Sequence, residues 1–288
     1  MMVAFGYHGT GFHGSQIQPD VRTVQGEFVK ALRRLGWWSE GCIDLSSRTD
    51  AGVSVRMNLA VITLPNSLRT SLTGKGFVSA INDHLPTDLV AWRAQWVPEG
   101  TRSRSGASRT YVYRCEMVPN WPQQADSALF AEACSAFVGE HDFTNFCRID
   151  GERSPVRTID SCQPWTDASG RVVGFSVSGQ AFLWNQVRRL ASAIQLVLEG
   201  EISVDDIRSA LDNPQARIDY GRAPAECLIL WGLNHIAFDG PPDAVPQVEG
   251  FSAAPKGERA HRQWLNLARI ENAALLEREW LALIKGES

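Results

Sequence analysis

The amino-acid sequence predicts an α+β fold with a mainly antiparallel sheet and flanking helices. Over the first hundred residues, stretches that alternate apolar and smaller or polar residues are interleaved with stretches of helical periodicity, in the order β-α-β-α-β. The second half repeats this pattern, and strands outnumber the β-α-β crossovers that a parallel sheet needs. A chain of 288 residues, 44% of them hydrophobic, is long enough to form two domains.

The first half opens on a predicted strand in which Val3, Phe5 and Tyr7 alternate with smaller residues. Thr23 is the expected N-cap of a helix over residues 24–35, where apolar residues recur at helical spacing. After Asp50 we expect a strand over residues 58–64, a second helix before the stretch INDHLPTDL, and a strand over residues 90–96.

The second half starts with TYVYRCEMV, which predicts a strand with Tyr111 and Tyr113 on one face. Helices are expected over residues 128–138 and 184–199, and strands over residues 171–182 and 228–231. These patterns predict an N-terminal half over residues 1–103 and a C-terminal half over residues 104–240.

Residues 241–288 are predicted to be a linker followed by a helical tail. The stretch DGPPDAVPQVEGFSAAPKG is typical of a linker. In the helix that follows, Leu267, Ile270, Ala274 and Leu281 fall on one stripe. We expect this stripe to pack on its own chain rather than on a partner.

Charge is distributed unevenly along the chain. The formal net charge of −4 argues against a protein that coats nucleic acid with positive charge, but it allows a local basic cleft. Arginines concentrate at positions 102, 104 and 109, at 153 and 157, and at 188 and 189. These clusters fit a phosphate-binding cleft, and solvated loop charges are the alternative for each cluster alone.

Several protein classes are excluded by what the sequence contains. The six cysteines form no CxxC pair and the histidines show no ligand spacing, so we expect buried thiols in a reducing compartment and no metal site. The N-terminus has no signal-peptide pattern and no apolar run is long enough for a membrane span, so a cytoplasmic protein is expected. The glycine-rich stretch GYHGTGFHG lacks the GKS/T ending of a P-loop and the regularity of a dinucleotide fingerprint. A kinase and a dehydrogenase are therefore excluded.

The stretch SSRTDAGVSV places Asp50 in a bend relieved by Gly52, ahead of an apolar run. A carboxylate held in this way near cations stays ionised and can act as a nucleophile or base. By itself the pattern is also that of an Asx-turn that closes a hairpin.

Two further stretches contain residues suited to bind a nucleotide. Arg109, Tyr111 and Tyr113 share a strand face, which can stack on a base or simply belong to the core. Arg188 lies one predicted helical turn after Trp184 in FLWNQVRRL. This arginine either pairs with a carboxylate, for which Asp50 is one candidate, or extends to solvent.

Taken in order, seven motifs over about 235 residues resemble the tRNA pseudouridine synthases of the TruA type, in an archaeal-type variant. They are GYHGTGFHGSQIQPDVRTVQGEF, SSRTDAGVSV, INDHLP, SRTYVYRC, HDFTNFCR, GQAFLWNQVRRL and APAECLIL. The resemblance implies the pseudouridine synthase fold, with two ferredoxin- or RRM-like halves that share a mainly antiparallel sheet and enclose a central cleft. It also implies an isomerase that acts on tRNA, works as a homodimer and uses no cofactor.

Residue roles follow from the same resemblance. It makes Asp50 the catalytic nucleophile, Tyr111 the residue that stacks on the target base, and Arg188 the cation that pairs with Asp50. Arg48 is expected to contact RNA and help extrude the uridine, and the remaining expected RNA-binding residues are Gln16, Arg102, Arg104 and Arg109. The expected targets are uridines of the anticodon stem-loop, at tRNA nucleotides 38 to 40.

The sequence departs from the family pattern at His8, Ser15, Ser54 and Cys227, and the arginine expected before SRTYVYRC has Arg102 and Arg104 as rival candidates.

Attack by Asp50 on C6 of the base, attack on C1′ of the ribose, and glycal formation all remain open. An N-glycosidic hydrolase and a non-catalytic RNA-binding protein are the rival functions, although a hydrolase would normally need a second carboxylate.

Overall fold

The structure is a computed structural model that describes residues 1–105, 108–122, 126–149, 151 and 154–286. Two compact units are formed, and neither is continuous in sequence. The first contains Met1–Ala107, Ile229–Asp243 and Ala273–Ser288, and the second contains Ser108–Leu228 and Ala244–Asn272. This division by contacts differs from the three consecutive segments expected above, whose boundaries stay a prediction.

The described residues form nine strands and six α-helices, an α+β composition as predicted. The strands are β1 (Met2–Tyr7), β2 (Ile43–Leu45), β3 (Ser54–Ile62), β4 (Leu89–Gln95), β5 (Ser108–Tyr113), β6 (Gly139–Asp142), β7 (Val156–Thr166), β8 (Val172–Gly179) and β9 (Leu228–Asn234). The helices are α1 (Val24–Arg34), α2 (Gly74–Asn82), α3 (Ser127–Ser135), α4 (Gln186–Leu198), α5 (Val204–Asp212) and α6 (Glu258–Lys285). No helix among these described residues is long and apolar enough to cross a membrane.

In the first unit, β3 is the central strand of the sheet. It pairs antiparallel with β1, which in turn pairs antiparallel with β4. On its other edge, the first residues of β3 run parallel to β9 and its last residues pair antiparallel with β2. The segment between β2 and β3 therefore connects two antiparallel neighbours, and it carries Asp50.

The helix α1 begins as expected, because the Thr23 side chain accepts a hydrogen bond from the Gly26 amide at 3.2 Å. Its apolar side is buried through Val24, Phe28 and Leu32. The sequence prediction of this helix is confirmed to within one residue at its C-terminal end.

In the second unit, four antiparallel strands follow the order β5-β8-β7-β6. Asp126 caps α3, and Ser203 and Asp206 form a reciprocal capping box at α5. Over the second half of the chain, the predicted strands β5, β8 and β9 and the helices α3 and α4 are present, whereas β6, β7 and α5 were not predicted from the sequence. The six cysteines are free and buried, as expected.

The tail forms α6 and packs on its own chain, but not through the predicted stripe. Leu267, Ile270 and Leu281 are 45%, 64% and 54% exposed, so that expectation was wrong. The buried residues follow a different stripe, with Trp264, Ala268, Asn272, Leu276, Trp280 and Leu283. The two tryptophans anchor this stripe because each indole N–H finds an acceptor, the Ser252 hydroxyl at 2.8 Å and the Arg56 carbonyl at 3.0 Å.

Candidate active site

Asp50 lies in a short loop between β2 and β3 of the first unit and is partly exposed. Gly52 gives the loop its bend with a φ of +86°, a conformation that glycine adopts without strain. The Val53 amide donates to the Asp50 carbonyl at 3.3 Å and closes the turn. The local backbone is thus the tight turn that the sequence predicted.

The start of the loop is fixed by Asn58, a fully buried residue of β3. Its amide oxygen accepts from the Ser47 amide at 3.2 Å, and its amide nitrogen donates to the Ser47 carbonyl at 2.9 Å. The Ser46 amide also donates to the Leu59 carbonyl at 2.9 Å. These bonds satisfy the buried amide group of Asn58 and hold Ser47, the point from which the Asp50 loop departs.

The middle of the loop is held from the N-terminal segment. The Thr49 amide donates to the Ser15 hydroxyl at 2.9 Å, and the Ser15 amide donates to the Thr49 carbonyl at 3.2 Å. The hydroxyls of Tyr7 and Thr49 are also hydrogen-bonded, at 2.6 Å. Two backbone groups and one side chain directly before Asp50 are therefore restrained.

The glycine-rich stretch GYHGTGFHG packs directly against this loop. A side chain at Gly9 would place its Cβ 2.3 Å from the Val53 carbonyl carbon, and one at Gly14, where φ is +94°, would lie 3.1 Å from the Thr49 carbonyl oxygen. The Gly9 amide donates to the Ser54 hydroxyl at 3.0 Å. These glycines were singled out from the sequence, but their packing on the Asp50 loop was not predicted.

The predicted RNA-binding residues of the first unit, Gln16, Arg48, Arg102 and Arg104, are all exposed. Between the two rival arginines, buried Ser103 donates to the Asp44 carboxylate at 2.6 Å, and Arg104 Nε donates to the Leu45 carbonyl at 3.3 Å. The Ser46 hydroxyl bonds to the Ser103 carbonyl. Arg102 and Arg104 thus both flank the base of the Asp50 loop.

In the second unit, Tyr111 lies on β5 and meets Phe182 edge-on, with ring centroids 5.1 Å apart. Arg109 is 8% exposed and donates to the Gln180 carbonyl at 2.5 Å, which makes it the least exposed of the predicted RNA-binding residues. Tyr113 is a core residue: its ring stacks on Phe175, its hydroxyl donates to the Pro224 carbonyl at 2.9 Å, and burial raises its pKa well above the usual value.

Arg188 lies in the first turn of α4 and is half-buried. Its Nε donates to the Ala223 carbonyl at 2.9 Å and its Nη1 to the Asn185 side chain at 3.3 Å, while the Ala223 amide donates to the Arg188 carbonyl at 3.1 Å. The APAECLIL stretch therefore positions the guanidinium of Arg188. Trp184 precedes the helix and is separated from it by Asn185 at a φ of +62°, so the expectation that Trp184 lies one helical turn before Arg188 was wrong.

The candidate residues thus form two groups. Asp50, Gln16, Arg48, Arg102 and Arg104 belong to the first unit, and Arg109, Tyr111 and Arg188 belong to the second. Of the basic cluster around Ser154, Arg157 is described and Arg153 lies outside the described residues. The pairing of Asp50 with Arg188 stays a prediction.

Comparison with known proteins gives consistent matches. A family model described as tRNA pseudouridine synthase matches residues 133–235, a range that includes Arg188. The tRNA pseudouridine synthase A of Methanoculleus marisnigri is 35% identical over 92% of this chain and 92% of its own length. The protein of the same name from Thermococcus sibiricus is 33% identical over 96% of both chains. The one from Methanocorpusculum labreanum is 37% identical over 81% of this chain and 79% of its own length. Since these relatives align with most of the chain, it belongs to the tRNA pseudouridine synthase A family.

Proposed function

We propose that this chain is an isomerase that converts uridine to pseudouridine in tRNA, with Asp50 as its nucleophile. One observation carries the assignment of Asp50. Its loop is restrained from two sides, by Ser15 at Thr49 and by Asn58 at Ser47, while Asp50 itself stays accessible. A carboxylate on a loop fixed in this way is suited to attack a substrate in one geometry.

The reaction requires the target uridine to leave the stack, because a stacked base cannot be reached by a side chain. The N1–C1′ bond breaks and the base rotates. C5 then bonds to C1′, the proton on C5 leaves, and N1 takes up a proton. Base and ribose stay in one molecule, so the reaction is an isomerisation with no net redox change. The proposal covers three routes for Asp50, namely attack on C6, attack on C1′, and glycal formation.

Each remaining residue receives a role from the family resemblance and from its own surroundings. Tyr111 stacks on the target base, with Phe182 behind it to hold the ring. Arg188 pairs with Asp50, as the family resemblance implies, and the Ala223 carbonyl orients its guanidinium. The exposed side chains of Gln16, Arg48, Arg102 and Arg104 contact the RNA, together with Arg109.

The finer proposals concern the target and the assembly. The targets are uridines at tRNA nucleotides 38 to 40 in the anticodon stem-loop, and the working enzyme is a cytoplasmic homodimer without metal or cofactor. Support for these proposals comes from the family resemblance in the sequence motifs.

The test maps pseudouridine by carbodiimide modification and primer extension, on tRNA transcripts with uridines at nucleotides 38 to 40. The natural chain should produce stops at one or more of these positions, and Asp50→Asn should produce none. Asp83→Asn, which changes an exposed carboxylate at the end of α2, is the matched control and should behave like the natural chain. Modification of these positions by Asp50→Asn would overturn the catalytic assignment, and modification elsewhere would overturn the target.

A further inference from the structure

A basic and aromatic pocket lies in the second unit, and its lining includes none of the residues proposed above to be catalytic or to bind RNA. Its walls include Arg148, Arg157, Phe182 and Trp184, and none of the described residues that line it is acidic. We call it the Trp184 pocket. It is shallow, with a cavity volume of about 70 Å³, so it receives one edge of a ligand and leaves the rest of that ligand in solvent.

One wall is a flat stack of a cation on an aromatic ring. The guanidinium carbon of Arg148 lies 4.0 Å from the centroid of the Trp184 ring. The two residues are also paired through the backbone, because the Arg148 amide donates to the Trp184 carbonyl at 2.8 Å. Planar guanidinium and indole groups arranged in this way are surfaces on which nucleobases stack.

The second wall is formed by Arg157, which has no anionic partner among the residues that the structure describes. Arg157 donates from Nη1 to the backbone carbonyls of Ser154 and Val156, at 2.8 and 2.6 Å. Its Nε is buried and has no hydrogen-bond partner among the described residues. Carbonyl groups are neutral, so these hydrogen bonds do not neutralise the positive charge of Arg157. A phosphate can neutralise it, because phosphate oxygens match the geometry of a guanidinium.

Phe182 links the pocket to the proposed catalytic residues. It lines the pocket and also meets Tyr111 edge-on at 5.1 Å, so the pocket begins one ring away from the residue assigned to stack on the target uridine.

We propose that the Trp184 pocket binds a second, unpaired nucleotide of the tRNA next to the target uridine. Its base stacks on the Arg148–Trp184 pair and its phosphate contacts Arg157. This inference rests on the proposed function, since it requires RNA to enter the site at Tyr111. It assigns substrate recognition to Arg148, Arg157 and Trp184, which have no role in the proposed catalysis.

The test measures steady-state kinetics on tRNA at several salt concentrations, for Trp184→Ala and Arg157→Gln. Loss of base stacking in Trp184→Ala should raise KM roughly 5- to 100-fold and leave the salt dependence unchanged. Loss of a phosphate contact in Arg157→Gln should raise KM about tenfold and reduce the slope of log KM against log salt by about 1. For both variants kcat at saturating tRNA should stay within about twofold of the natural chain.

Three further variants make the outcome decisive. Arg208→Gln removes a surface arginine of α5 in the same unit that is ion-paired with Asp205 and Glu132, and it should leave KM and salt slope unchanged. Trp184→Phe should retain most of the affinity, which a purely structural role of the indole would not predict. Unchanged KM in both Trp184→Ala and Arg157→Gln, while Asp50→Asn is inactive, overturns the pocket and leaves the proposed function standing. Activity in Asp50→Asn overturns the proposed function instead.

Discussion

The Ser15 hydroxyl accepts a hydrogen bond from the backbone amide of Thr49 at 2.9 Å, one residue before the proposed nucleophile. The Ser15 amide returns a bond to the Thr49 carbonyl at 3.2 Å. Ser15 is fully buried, so water does not compete for the groups that form these two bonds. The position of the proposed nucleophile thus depends on a residue 35 positions earlier in the chain.

Ser15→Ala should therefore lower kcat more than it raises KM. The Thr49 amide loses its acceptor inside the protein, which costs about 1–3 kcal/mol, and the Asp50 loop relaxes. We expect kcat to fall roughly tenfold with KM within about twofold, because the exposed RNA contacts are unchanged. Ser71→Ala, at an exposed serine of the same unit, should have natural kinetics. A variant Ser15→Ala with natural kcat would contradict this role.

Gly14→Ala should cost more stability and activity than the matched change Gly36→Ala. Both glycines have a positive φ, +94° and +70°, so both variants are destabilised by about 1 kcal/mol of backbone strain. Only at Gly14 does the new Cβ also press on the Asp50 loop, 3.1 Å from the Thr49 carbonyl, whereas nothing lies within 4 Å at Gly36. Urea unfolding and kcat together check this, and equal loss of activity in the two variants would refute the contact.

The tail should stabilise the second unit through Arg114, which is fully buried at the end of β5. Its Nη2 lies 2.7 Å from the Glu271 carboxylate and its guanidinium lies 3.8 Å from the Phe251 ring centroid. Glu271→Gln leaves a buried cation with a weaker partner, and we expect a loss of about 3 kcal/mol in the free energy of unfolding. Arg114 lies three residues after Tyr111, so activity should fall as well.

The control for this change lies on the same helix. Glu258 pairs with Arg262 at the exposed start of α6, and both side chains are more than three-quarters exposed, at 79% and 76%. Glu258→Gln should therefore change the free energy of unfolding by less than about 1 kcal/mol. Equal urea midpoints for Glu271→Gln and Glu258→Gln would contradict the expected stabilisation by the buried Arg114–Glu271 pair.

The buried thiols predict a pH dependence of stability. Burial raises the pKa of Cys227 to about 12, from an ordinary value of 9.0. Between these two values the unfolded chain loses the proton and the folded chain keeps it. The contribution of this thiol to stability is therefore complete below pH 9 and is lost as the pH rises toward 12. At pH 8, Ellman's reagent should react slowly with the native protein and rapidly with all six thiols in urea; rapid native reaction of Cys227 would contradict its burial.

Local patterns were sufficient for the elements whose side chains follow a regular period. β1 and α1 were predicted because their apolar spacing is that of an ideal strand and an ideal helix. β7 was not, because its buried residues Ile159, Cys162 and Trp165 are three apart, and its pairing with β8 shifts register between Ile159 and Ser161. That irregularity removes the two-residue alternation by which a strand is recognised.

The restraints on the site were beyond prediction from spacing alone. Asp50, Tyr111 and Arg188 were assigned through motifs, but nothing in the motifs says that Ser15 and Asn58 fix the loop. Such contacts depend on which strands pair, a tertiary property that a local pattern does not contain. In the same way, the α6 stripe was misassigned: the buried face carries Trp264 and Trp280, whose indole N–H groups have acceptors elsewhere in the chain.

Tritium release from tRNA labelled at C5 of uridine tests the central claim most directly, namely that Asp50 drives isomerisation. The natural chain should release tritium to water without releasing free uracil, since the C5 proton leaves while the base stays attached. Asp50→Asn should bind the same tRNA and release none, with Asp83→Asn as the active control. Tritium release by Asp50→Asn at the natural rate, or free uracil from the natural chain, would contradict the account.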